Sequence, residues 1–70
     1  MADLSKHARV SDAIRTAIND GSIAPGEMLT AGIVGSRFGV SRQSAYRALV
    51  ILAAEGRIVP ERGAGHRVRE

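Results

Sequence analysis

One stretch near the middle of the chain, residues 39–49, most constrains the fold, because it predicts a tight turn followed at once by a helix. Gly39 permits the left-handed backbone that ends a preceding helix, and Ser41 is a residue type that caps the next one. Apolar residues then recur at the spacing of one helix face: Ala45, Ala48, Leu49 and Leu52. We expect this face to contact a core and the opposite face to meet solvent.

The outer face of this helix has side chains suited to nucleic acid. In a helix-turn-helix, the amino-terminal part of the second helix meets base edges in the major groove. Arginine can donate two hydrogen bonds to guanine, and glutamine can pair with adenine. The residues predicted to contact DNA here are Arg42, Gln43, Ser44 and Arg47. Tyr46 either contacts DNA, by a hydrogen bond to a phosphate or by packing on a sugar, or is a partly buried aromatic side chain at the edge of the helix.

Seventy residues are enough for one domain, and we predict a single domain over residues 1–70. The sequence contains no cysteine, which excludes a disulfide framework and a thiolate metal site. His7 and His66 are too far apart for a local chelating pair, and both are expected to be solvated. We therefore predict no metal, no cofactor and no enzymatic activity.

No segment approaches the roughly 18 apolar residues of a membrane span, and the first residues lack the apolar run of a signal peptide. We expect a cytoplasmic protein with no membrane partner. Charge is uneven along the chain: residues 1–35 contain three basic and four acidic side chains, whereas residues 36–70 contain seven arginines and three glutamates. Arginine suits planar, bidentate contact with phosphate or guanine, so the carboxy-terminal half is the predicted electrostatic surface.

The remaining elements predict a mainly α fold with a small antiparallel β wing. A first helix is indicated by Val10, Ile14 and Ile18 and stops near Gly21, after a flexible lead-in over residues 1–8. A turn over residues 24–27 precedes a short strand at Met28 and Leu29.

Thr30 is expected to cap a second helix over residues 31–38. Its predicted anchors are Ile33, Val34 and Phe38. Gly32 and Gly35 each cost up to about 1 kcal/mol in a helix interior relative to alanine. They either allow close approach of another helix or mark a weak element.

The third helix is predicted over residues 42–54, and a hairpin with a glycine-rich tip follows over residues 58–69. Ile58 and Val68 are expected to face the core, with Arg62, Arg67 and Arg69 pointing outward or lying near the tip. Three helices, a short strand and a hairpin make a winged helix-turn-helix.

Four segments in this order resemble the DNA-binding domain of the GntR family of bacterial regulators over about residues 10–68. They are Ala13-Ile14-Arg15, residues 21–29, Phe38-Gly39-Val40-Ser41-Arg42, and residues 49–56 leading into Gly63-Ala64-Gly65. The resemblance implies a DNA-binding transcriptional regulator, usually a repressor, that binds a short palindrome in double-stranded DNA as a homodimer. Family members normally continue into a larger effector-binding or oligomerisation domain. We expect no small-molecule effector domain in this chain, which is either a stand-alone regulator or part of a longer one.

The sequence also departs from the family pattern. Arg42 matches an arginine of the family, but Gly32 occupies the position where the family commonly has an arginine that reads a base, and Tyr46 replaces another arginine. Val50 and Ile51 stand where the family often has polar residues. They either contact a dimer mate or other partner, or are buried against the first helix or the wing.

The wing is expected to approach the minor groove. Predicted wing contacts are Arg62, Gly63, Ala64, Gly65, His66 and Arg67. The two glycines would remove side-chain bulk at the tip, and Arg62 or Arg67 would enter the negative potential of the groove. Thr30 and Ser41 would cap helices and could also receive a phosphate.

Two other kinds of function stay open on the sequence alone. One is an architectural or recombination accessory protein of a mobile element, which would bind DNA without reading sequence. The other is a winged helix that binds a protein partner through Tyr46, Val50 and Ile51, with the arginines serving only solubility.

Overall fold

A computed structural model describes the backbone of residues 4–69 and the side chains of residues 6–69. The first helix, α1, spans Leu4–Asp20. It begins earlier than the sequence predicted, so residues 4–8 of the expected flexible lead-in are helical, while residues 1–3 lie outside the described residues. At its end, Gly21 has φ 86° and the Asp20 carboxylate accepts hydrogen bonds from the Ser22 N–H and hydroxyl at 2.8 and 2.6 Å.

The helix-turn-helix has the predicted caps. Helix α2 spans Ala31–Phe38, and the Thr30 hydroxyl accepts a hydrogen bond from the Ile33 N–H at 3.1 Å. Gly39 then adopts φ 68°, in the left-handed region that favours glycine. Helix α3 spans Arg42–Ala54, and its cap Ser41 accepts from the Ser44 N–H at 3.1 Å.

One face of each helix contributes to a single core. Helix α3 packs against both α1 and α2. The buried apolar side chains are Val10, Ile14, Ile23, Leu29, Val34, Ala45, Ala48, Leu49, Leu52, Ile58 and Val68. Val34 and the partly buried Phe38 anchor α2 as predicted, but Ile33 does not: it is 47% exposed. Ile33 directly precedes Val34 on a helix, so the two side chains point about 100° apart and only one reaches the core.

The three strands form one antiparallel sheet in the order β1-β3-β2. Strand β1 is Met28–Leu29, β2 is Ile58–Glu61, and β3 is Gly65–Val68. Ile58 lies opposite Val68, and both are buried, as the sequence predicted. Strand β3 is therefore central, and it links the hairpin, here called the wing (residues 58–69), to the segment that leads into α2.

Two glycines are explained by close approach of backbone. A Cβ on Gly35 would lie 2.9 Å from the Val40 carbonyl oxygen, so this glycine allows the turn to pack against α2. Gly65 has φ 106°, and a Cβ there would lie 2.5 Å from the Leu29 carbonyl oxygen. Gly65 thus lets β3 lie beside β1, a structural role that the sequence analysis missed when it assigned this glycine to DNA approach.

An ion-pair network joins α1 to the end of α3. The Arg15 guanidinium donates to both Glu55 carboxylate oxygens, at 3.0 and 2.7 Å, and also pairs with Asp12. Arg57 adds a bond to Glu55 at 3.1 Å. The hydrogen bonds from Arg15 are the main reason that the pKa of Glu55 lies below its ordinary value of 4.5.

Gly65→Ala should destabilise the fold by more than about 2 kcal/mol, for two reasons. Alanine would have to adopt a positive φ, which L-residues disfavour, and its methyl group would collide with the Leu29 carbonyl oxygen. The matched control is Gly63→Ala. Gly63 also has a positive φ, 73°, but a Cβ there has open space, so its cost should be about 1 kcal/mol. Urea unfolding of both variants measures the difference, and equal losses would contradict the close-approach argument.

Glu55→Gln should lower the melting temperature at neutral pH and reduce the sensitivity of the fold to acid. A carboxyl whose folded pKa is depressed stabilises the fold above its unfolded value, near 4.5 here, and that contribution disappears as pH falls through the folded value. Melting temperatures measured from about pH 6 down to about pH 3 test this. An unchanged acid sensitivity in the variant would show that the α1–α3 network is not its source.

Candidate nucleic-acid interface

The basic side chains divide into two sets according to their partners. Four arginines form ion pairs with carboxylates: Arg15, Arg37, Arg57 and Arg67. The others have no ion pair with any carboxylate of residues 6–69: Lys6, Arg9, Arg42, Arg47, Arg62 and Arg69. Unneutralised charge is thus concentrated at the start of α1, on α3 and in the wing.

The outer face of α3 presents the predicted side chains to solvent. Arg42, Gln43 and Arg47 are exposed, and Tyr46 is 56% exposed. Ser44 is half-buried, and its hydroxyl accepts a hydrogen bond from the Ser41 hydroxyl at 3.2 Å. The two serines therefore hold the start of α3 in place, while the arginines and Gln43 form its accessible polar surface.

The start of α1 lies beside this surface. Lys6 and His7 line one surface depression together with Gln43, Ser44 and Arg47. The sequence analysis did not place Lys6 here, because it treated residues 1–8 as a lead-in. Two signals were available in the sequence: Asp3, directly before Leu4, is a residue type that caps helices, and residues 4–18 contain neither glycine nor proline to stop an early start.

Val50 and Ile51 differ in exposure. Val50 is 46% exposed, so burial against α1 or the wing does not account for it. Ile51 is half-buried and lines a depression with His7, Arg47 and Val50. His7 is itself partly buried, contrary to the expectation that it is solvated.

The predicted DNA-contacting residues of the wing differ in how exposed they are. Arg62, Gly63 and Ala64 are exposed at the tip. Arg67 points outward, as predicted, but donates to both Glu61 carboxylate oxygens, at 3.0 and 3.2 Å, and to the Gly26 carbonyl at 3.4 Å. These hydrogen bonds from Arg67 hold the pKa of Glu61 below its ordinary value. Arg67 thus connects β3 to β2 and to the turn before β1.

His66 is only partly exposed, contrary to the expectation that it is solvated. It lies two residues before the buried Val68 on β3, on the same face of the sheet, and opposite Leu29 and Pro60 in register. Its Nδ1 atom is buried and has no hydrogen-bond partner among the described residues. The alternation of β3 therefore turns His66 inward and Arg67 outward.

The family model for bacterial regulatory proteins of the gntR family matches residues 6–68. The chain belongs to the GntR family. Its winged helix-turn-helix is the DNA-binding domain of these transcription regulators, as the resemblance in the sequence implied.

Solved GntR-type structures share this architecture. BusR of S. agalactiae, in complex with its busAB promoter DNA, has a TM-score of 0.85 and 28% identity, over 94% of this chain and 33% of BusR. The DNA-binding domain of AraR in complex with operator ORR3 has a TM-score of 0.77 and 33% identity, over 90% of this chain and 77% of that one. Lar, which controls expression of the Listeria monocytogenes agr system, has a TM-score of 0.81 and 25% identity, over 91% of this chain and 30% of Lar.

The chain therefore spans about a third or less of BusR and Lar, and most of the AraR domain. A comparison of the sequence with curated proteins found no significant match. Within residues 4–69, no helix of this GntR domain is both long and apolar enough to cross a membrane.

Proposed function

We propose that this GntR domain binds a specific sequence in double-stranded DNA and regulates transcription, with α3 in the major groove and the wing at the adjacent minor groove or backbone. The observation that supports this most is the pair of arginines, Arg42 and Arg47, on the exposed amino-terminal half of α3. Neither has a carboxylate partner within residues 6–69, so both keep their full charge for DNA.

Arg42 and Gln43 are the best placed to read bases. Both are exposed in the first turn of α3, the part of a recognition helix that meets base edges. A bidentate arginine–guanine or glutamine–adenine pair discriminates against the wrong base by roughly 1 to 3 kcal/mol. Arg47 and Tyr46 lie one turn further on, where an exposed guanidinium and hydroxyl suit phosphate contact.

Arg62 is the wing residue best suited to the minor groove or backbone. It is exposed at the tip beside Gly63 and Ala64, and it has no carboxylate partner within residues 6–69. Arg67, by contrast, positions the wing through Glu61 and the Gly26 carbonyl. We therefore assign direct contact to Arg62 and place Arg67 behind it.

A single domain with few base contacts binds weakly, so we propose that two copies occupy half-sites about 34 Å apart on a palindrome. The AraR and BusR structures, which contain operator and promoter DNA, support an operator as the target. Binding over a promoter would repress transcription by occluding it, in the bacterial cytoplasm where the chromosome lies.

Selection of bound duplexes from a randomised library, at near-physiological salt, tests the proposal. We expect enrichment of a two-fold symmetric motif. Binding without enrichment would instead indicate an architectural protein. Absence of binding to any duplex would redirect attention to a protein partner at Tyr46 and Val50, both of which are exposed.

Arg42→Ala should weaken binding to the selected motif by at least roughly tenfold and relax the preference at one base pair of each half-site, because the bidentate contact is lost. Arg42→Lys is the matched control: it keeps the charge but not the planar fork, so it should also relax that preference while retaining more of the affinity. Fluorescence anisotropy with single-base variants of the motif measures both effects. An unchanged preference in both variants would rule out base reading by Arg42.

Arg62→Ala should weaken binding to all sequences similarly and lower the slope of log affinity against log salt by about 1 for each bound copy, and so by about 2 for two copies on a palindrome. Arg67→Ala combined with Glu61→Gln, which leaves no unpaired carboxylate behind, should lower that slope less, because Glu61 already neutralises Arg67 in the folded wing. Salt titrations of the two variants make the comparison, with melting curves to correct for any loosening of the wing. A larger slope change for the double variant would reverse these assignments.

A further inference from the structure

The space above Gly32 is occupied by another residue. A Cβ built on Gly32 would lie 3.6 Å from Nη2 of Arg42 and 3.9 Å from the Thr30 hydroxyl oxygen. The Arg42 side chain therefore extends back from the start of α3 across the first turn of α2. Its guanidinium rests over the one position in that turn that has no side chain.

No backbone constraint requires glycine at this position. Gly32 is exposed, has an ordinary helical φ, and would accept a Cβ at normal contact distance. Gly35, one turn later, is different, because its Cβ would collide with the Val40 carbonyl. Glycine at position 32 thus weakens α2, although a Cβ there would not clash with any neighbour. What the glycine leaves free is the space that the rest of a longer side chain would fill.

Within residues 6–69, no side chain forms a hydrogen bond with the Arg42 guanidinium. Arg42 forms no ion pair within residues 6–69, and its guanidinium lies beside Gly32 on the first turn of α2. A side chain at 32 with atoms beyond Cβ would take the volume that the guanidinium now occupies. The arginine would then have to leave α2 and point elsewhere.

We propose that Gly32 is a specificity-determining position: by lacking a side chain it sets the direction of Arg42, and thereby the base pair that Arg42 prefers. Gly32 acts through Arg42 and is a positioning residue. This inference rests on the proposed base reading by Arg42. It goes beyond that proposal because position 32, where the family commonly has an arginine that itself reads a base, would here act indirectly, by leaving space for Arg42.

The test compares Gly32→Ala, Gly32→Leu and Gly32→Gln in the whole chain, each alone and with Arg42→Ala. The motif is the one selected by the parent protein, and preference is the ratio of affinities for the motif and for its variant at the Arg42 base pair. Gly32→Ala should keep the parent ratio and should not lower the melting temperature, since alanine favours the helix and leaves Arg42 in place. Gly32→Leu and Gly32→Gln should lower the ratio by about tenfold, as Arg42→Ala does.

The double variants separate displacement of Arg42 from a general effect on α2. If Gly32 acts through Arg42, adding Gly32→Leu or Gly32→Gln to Arg42→Ala should not lower the ratio further. A folded Gly32→Leu or Gly32→Gln protein that keeps the parent ratio, while Arg42→Ala loses it, would overturn this inference and leave the proposed function intact. Loss of the ratio in Gly32→Ala would also overturn it, because helix stiffness rather than volume would then be responsible. If Arg42→Ala itself keeps the parent ratio, base reading by Arg42 fails, and this inference fails with it.

Discussion

The packing of the α3 apolar stripe against the other two helices is the constraint on which the rest of the structure depends. Ala45, Ala48, Leu49 and Leu52 are all buried on one face of this helix. Two of the four are alanines, whose small side chains let neighbouring helices come close. Once this face is fixed inward, the rotation of α3 is fixed too, and Arg42, Gln43 and Arg47 are held on the outside without needing partners of their own.

The position of the wing follows from short connections to the same core. Strand β1 is only two residues long, and Leu29 within it is buried directly before the Thr30 cap of α2. Strand β3 pairs with β1, so the wing is tied by hydrogen bonds to the start of α2. The missing side chain of Gly65 makes this pairing possible. The wing and the start of α2 are therefore mechanically connected through the β1–β3 pairing. This connection keeps both elements in a defined position relative to α3.

The sequence predicted elements well where a local rule applies. Thr30, Gly39 and Ser41 mark helix boundaries through their own hydrogen bonds and backbone preferences, so α2 and α3 have the predicted bounds. The start of α1 was misplaced because the prediction relied on the apolar stripe, which begins only at Val10, and passed over Asp3, a residue type that caps helices. Ile33 was wrongly assigned to the core because α2 is too short for periodicity to separate it from Val34. The roles of Gly65 and Arg67 depend on which strands pair with each other. Pairing between strands that are distant in the sequence cannot be predicted from local sequence patterns.

Net charge alone overestimates how much positive charge the surface offers to DNA, because ion pairs between residues distant in sequence are not visible in it. The carboxy-terminal half contains seven arginines, yet three of them, Arg37, Arg57 and Arg67, form ion pairs with glutamates. Exposed pairs of this kind add little stability, but they remove positive charge that would otherwise attract any phosphate. The arginines that stay unpaired within the described residues include those at the start of α3 and at the tip of the wing. The distribution of glutamates, as much as that of arginines, thus decides where this domain attracts DNA.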